Sequence, residues 1–128
     1  MRRLPVPLLV LLLAGCGMDF RQSTHLALTA SQSMYIGAME VVDVAERQGR
    51  IREPAVAMEI VRYEEAHRGA HNAAESLMEQ WVALKDESAA GGHLERLEWE
   101  IRNYSALAAR AAAELVGFLR RVGLYAED

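Results

Sequence analysis

Residues 56–84 read VAMEIVRYEEAHRGAHNAAESLMEQWVAL and residues 94–122 read LERLEWEIRNYSALAARAAAELVGFLRRV, and the spacing of their apolar side chains decides the fold. In the first stretch Val56, Ile60, Tyr63, His67, Ala70, Ala74, Leu77, Trp81 and Leu84 alternate in steps of four and three. In the second, Leu94, Leu97, Ile101, Tyr104, Ala108, Ala111, Leu115, Phe118 and Val122 keep the same alternation. An α-helix brings positions three and four apart onto one face, so each stretch is a helix with one continuous seam. Two seams of this length predict a coiled-coil-like antiparallel pair.

The turn between them fixes the register, because residues equidistant from a centre near residue 90 face one another. Trp81 then meets Ile101, Leu77 meets Tyr104, Ala74 meets Ala108, Ala70 meets Ala111, and Tyr63 meets Phe118. Large residues oppose large ones and small oppose small, a consistency that the seam assignment did not impose.

Working outward, breakers at Gly49 to Pro54 and Ser88 to Gly92 cut the chain into three helices. The first is predicted from about Ser23 to Gln48, capped by Ser23 or Thr24 and closed by Gly49 after Arg47. The second starts at Pro54, whose missing N–H suits a first turn, and runs to about Glu87. The third runs from near His93 to Gly123, with Arg120 and Arg121 against the negative end of its dipole. Ala27, Ser31, Met34, Ala38, Val41 and Ala45 form the best stripe of the first helix, with Tyr35 and Val42 beside it. The expected fold is all-α: a three-helix antiparallel up-down-up bundle over residues 23–123, with residues 124–128 as a tail.

A chain of 128 residues allows one domain. Hydrophobic residues make up 52% and aromatic ones only 6%, which suits an alanine-rich helical body. The formal charge of −4 argues against a nucleic-acid footprint.

The N-terminus carries Arg2 and Arg3, an apolar run from Leu4 to Leu13, and then Ala14, Gly15 and Cys16. A basic flank, a short apolar core and small residues in that order read as a secretory signal over residues 1–15. The run is about half the roughly 20 residues that a spanning helix requires. Leu13-Ala14-Gly15-Cys16 resembles the lipobox of bacterial lipoproteins. That resemblance implies diacylglyceryl transfer to the Cys16 sulfur, cleavage before Cys16, and acylation (palmitate or similar) of the new amino group. It further implies a lipid-held protein facing the periplasm, tethered to the bilayer through residues 16–22. Gly17, rather than an aspartate, follows the cysteine, which by the same resemblance favours the outer membrane over the inner. Cys16 is the only cysteine, so a disulfide within the chain is excluded. Loss of Arg2 and Arg3 with the signal leaves 12 basic against 18 acidic side chains, a charge of −6.

Two constellations are candidates for function. Glu64, His67 and His71 share a helix face at metal-ligand spacing, and the hairpin register sets Glu114 near the level of His67 with Tyr35 on the other side. Zn²⁺ or Cu²⁺ held by Glu64, His67, His71 and Glu114 is one reading. The other is a buried seam histidine bonded to Tyr35 or Glu114. The second constellation is a partner surface: Trp99 points away from the seam, and Ala109, Ala113 and Gly117 form a small-residue row for another helix or for the first helix of this chain. No serine in a glycine-rich elbow and no phosphate-binding loop occurs, so the expectation is a protein without enzymatic activity. Residues Met34 to Ile51 and Tyr63-Glu-Glu-Ala-His67 also resemble small helical proteins of uncharacterised function in bacterial and prophage genomes, over about a third of the chain.

The leading expectation is a membrane-anchored accessory or assembly module of an envelope complex, binding an envelope protein or itself. The alternatives are a metal-binding lipoprotein and an exclusion or immunity factor of a mobile element.

Overall fold

The computed structural model describes residues 19–87 and 91–125. The expected signal segment, Cys16 and the centre of the second turn lie outside those residues. Three helices follow in order, α1 (Phe20–Arg47), α2 (Pro54–Leu84) and α3 (Gly91–Arg121). They form the all-α antiparallel bundle that the seams imply.

Both helix ends that the glycines mark are built as expected. Gly49 has φ +67° and Gly123 has φ +75°, the left-handed conformation that a helix-ending glycine supplies. At the first, Arg50 N–H donates to Ala45 O at 2.9 Å and Gly49 N–H to Glu46 O at 3.0 Å. At the second, Leu124 N–H donates to Leu119 O at 2.9 Å and Gly123 N–H to Arg120 O at 3.1 Å. These paired bonds are Schellman closures, and the second folds Leu124 back into the core against Leu119. Residues 124–125 are therefore part of the body and not a free tail.

The start of α1 differs from expectation. Asp19, not Ser23 or Thr24, is the cap: its carboxylate accepts from Gln22 N–H at 2.8 Å. Thr24 is buried instead, and the segment expected to be tether is already helical from Phe20. Aspartate outcompetes the later residues because α1 carries its apolar stripe one turn further upstream, through Leu28 and Thr24.

The helices pack unequally. α2 and α3 form the tightest pair, α1 lies mainly on α3, and α1 touches α2 little. Tyr63 and Phe118 meet at 5.7 Å between ring centroids, as the hairpin register requires. Ala70, Ala74, Ala108 and Ala111 are buried between the two helices and let them approach closely. On α3 the core stripe shifts slightly from the expected seam: Leu119 and Ala112 are fully buried, while Tyr104 and Val122 are exposed. The cause is α1, which takes the flank of α3 next to the seam and rotates the buried sector towards itself.

The two ends of the bundle are unlike. At the end holding the α1–α2 loop and residues 124–125, Ala38, Val42, Ala45, Ile60, Leu115, Leu119 and Leu124 form the main hydrophobic core. Arg50 locks it by donating to Leu124 O at 3.2 Å. At the opposite end Phe20 packs on Trp81 at 5.1 Å with Arg102 over its other side, and α1 and α2 diverge. Every ion pair among the described residues joins positions three or four apart on one helix, so apolar packing holds the helices together.

Candidate functional site

The divergence of α1 and α2 opens a groove of about 1100 Å³. His25, Leu28 and Gln32 line it from α1, and His71, Glu75 and Glu79 from α2. Behind the lining residues Gln32 and His71 sits His67, 1% exposed and the one buried side chain of α2 that can ionise.

His67 touches all three helices. Its ring stacks on Tyr35 at 4.3 Å with 15° between planes. Nδ1 lies 2.9 Å from Ala108 O, and Nε2 lies 3.0 Å from Oε1 of Gln32. A carbonyl only accepts, so Nδ1 carries the proton and donates to Ala108 O. The neutral ring then offers a lone pair at Nε2, which the Gln32 amide satisfies only when turned over to present its NH₂ in place of Oε1. On protonation the same amide can present Oε1. Burial pushes the His67 pKa below that of a free imidazole, with the neighbouring His71 adding to the effect and the bond to Ala108 opposing it. Tyr35 is pushed the other way, above an ordinary phenol, first by burial and then by the Glu64 carboxylate, while Arg68 opposes both.

His71 lies one turn along α2, its ring 5.6 Å from that of His67. Its Nε2 faces Glu75 Oε1 at 3.1 Å, and its buried Nδ1 has no hydrogen-bond partner. Ser31 and Ser105 are also buried with unpartnered hydroxyls.

The structure does not gather the four candidate metal ligands. Glu64 pairs with Arg68 at 2.6 Å, and Glu114 is turned outward to Arg110 at 3.0 Å. His67 meets the backbone of Ala108 rather than Glu114, whose carboxylate is taken by Arg110 four residues before it. Among the described residues no group of three or more His, Cys, Asp or Glu is placed to hold a metal ion. Neither Gln32 nor the Ala108 carbonyl was expected as a partner. A lone glutamine in the alanine-, serine- and threonine-rich stretch Ala27 to Met34 was the available signal.

The partner-surface candidates lie outside. Trp99 is 67% exposed and borders a shallow hollow with Leu77 and Tyr104. Ala109 and Ala113 are exposed, whereas Ala112 takes the buried position on α3. Gly117 is half-buried beside the Arg121 guanidinium, which lies 3.6 Å from where a Cβ would stand. The row Ala109, Ala113, Gly117 is thus presented to solvent for most of its length and is not consumed by packing on α1.

No helix among the described residues is long and apolar enough to cross a membrane. The chain matches no family model, and no curated protein or solved structure matches it.

Proposed function

We propose that the protein is a lipid-anchored bacterial lipoprotein, facing the periplasm, whose helical body is a non-enzymatic interaction module of the envelope. One observation carries the anchoring half. Leu13-Ala14-Gly15-Cys16 stands three residues before Asp19, and Asp19 caps the first helix. Cleavage before Cys16 would remove nothing from the described bundle and would leave only Gly17 and Met18 between the acylated residue and the cap. Two or more acyl chains hold a protein on a bilayer persistently, so such an anchor needs no spanning helix. The residue after Cys16 is glycine, which favours an outer-membrane address.

The interaction half rests on where side chains are committed. Both nitrogens of His67 are engaged in packing, whereas Trp99 stays outside. An exposed tryptophan beside a hollow is a frequent anchor for a partner. Cys16→Ser tests the first half: wild-type protein incorporates an alkyne-tagged palmitate and sediments with membranes, and the variant does neither. A variant that still carries the label and sediments would refute it. A photoreactive residue at position 99, irradiated in intact cells, tests the second. A single adduct of defined mass is expected, and its absence refutes the use of this surface.

A further inference from the structure

The flank of α1 that faces away from α2 carries Leu26, Ala30, Met34, Gly37, Val41 and Val44, again in steps of four and three. Leu26, Met34 and Val44 are 40%, 41% and 39% exposed. The groove side of α1 is marked by His25, Leu28 and Gln32, so this flank lies on the other side, beside the outer flank of α3. That neighbouring strip runs Arg102, Ala106, Ala109, Ala113 and Arg120, all exposed.

Charge is segregated on this two-helix face. From Leu26 to Met39 α1 has no charged residue, and from Arg102 to Arg120 the single acid of α3 is Glu114, which is turned aside to Arg110. A body of charge −6 thus keeps this face uncharged on α1 from Leu26 to Met39, with Glu40 at its far end and Arg102, paired with Glu98, and Arg120 along the α3 edge.

We infer that this face lies on the bilayer surface that holds Cys16. The inference rests on the reading of Cys16 above and adds the orientation of the body. Three peptide steps from Cys16 to Asp19 span at most about 11 Å, and Leu26 stands roughly 9 Å along α1 from its start. A tether this short keeps the first turns of α1 at the surface, and a body that lies down from that point places one flank of α1 on lipid. The groove flank presents Asp19, Glu75 and Glu79 against the single arginine Arg21, a net acidic lining that an anionic surface repels. The opposite flank presents alanines and glycine that permit close approach, three large apolar side chains for the acyl boundary, and Arg120 for headgroup phosphates, while Arg102 is shared with Glu98 and the Phe20 ring.

Acylation consumes the only native thiol, so an introduced cysteine is the one site open to a nitroxide label. Ala30→Cys, Ala109→Cys and, on the exposed side of α2, Glu65→Cys all replace exposed side chains and leave the core untouched. Each protein is purified from membranes and reconstituted in vesicles of phosphatidylethanolamine and phosphatidylglycerol. Labels at positions 30 and 109 are expected to collide severalfold more with oxygen than with a water-soluble nickel chelate, relative to the label at position 65. Equal nickel access at all three positions overturns the inference. So does dipolar broadening at position 109, which would show a second copy covering the face. The mass of the N-terminal peptide from the same preparation separates the two layers: acylated protein with water-exposed labels sinks the orientation alone, and unacylated protein sinks the anchor and the orientation with it.

Discussion

Replacing His67 by alanine removes a ring that is 1% exposed and joined to all three helices. The two hydrogen bonds contribute about 1 kcal/mol each net of solvent. The aromatic stack adds about 1 kcal/mol. The vacated volume costs less than the 3–5 kcal/mol typical of losing a buried phenyl, because imidazole is smaller and more polar. Gln32 recovers part of the loss by turning to the water of the groove that it lines. The expected destabilisation is about 3 kcal/mol, or roughly 10–20 °C in Tm for an ordered body near 100 residues. Urea unfolding at pH 8 measures it. The sharper test is pH. Burial holds the His67 pKa below that of the unfolded chain, near 6.5, so the folded state binds fewer protons between those two values. This contribution is complete above about pH 6.5 and is lost as pH falls through that window towards the folded value. His67→Leu keeps most of the volume and cannot titrate, so its stability should fall less between pH 7 and pH 5 than that of the wild type. Parallel stability curves for the two proteins, or a wild type that gains stability on acidification, would refute the assignment of a buried neutral histidine.

Leu115→Ala opens a cavity in the core cluster at a position with no solvent exposure and should cost about 3–4 kcal/mol by urea unfolding. Gly49→Ala meets no atom within 4 Å but must hold φ +67°, so its cost is conformational only, about 1 kcal/mol, and Gly37→Ala, in ordinary helical backbone with equal space, should not share it. Asp19→Ala removes the side-chain bond to Gln22 N–H and should cost about 1 kcal/mol, read as a lower midpoint of unfolding. Raising salt to about 1 M should change stability by less than about 1 kcal/mol, since the ion pairs of the described residues lie within single helices.

The hairpin was legible because its information is periodic. Nine seam positions on each of two helices repeat one spacing, and a register error would have set Trp81 and Tyr63 against alanines. The helix ends at Gly49 and Gly123 were legible because a left-handed position has few residues that fill it. The start of α1 was not, since Asp19, Ser23 and Thr24 are all competent caps and the choice depends on how far the buried stripe extends through Leu28 and Thr24. The surroundings of His67 were half legible. Its burial and its closeness to Tyr35 follow from the seam, but the bond to Ala108 O does not, because a backbone carbonyl leaves no mark in the pattern of side chains. Glu114 was drawn towards His67 by register alone, and an arginine four residues before it was the stronger local attraction.

The unequal packing bears on how an anchor at Cys16 would act on the body. A tether that ended at Asp19 would pull on α1, and α1 is held chiefly by α3, while its links to α2 are few: Ile60 in the shared core cluster, the Tyr35 stack, the Gln32 bond and the contact of Phe20 with Trp81. Force or a competing partner acting between α1 and α2 meets those few side chains, whereas the α2–α3 hairpin keeps its continuous seam. The Asp19 end also carries the groove, the unpartnered Nδ1 of His71 and the polar lining, and the far end carries the densest core. Local opening follows the weakest set of apolar contacts, so the end at Asp19 is the one that adjusts, and the core around Leu115 and Leu119 preserves the fold while it does.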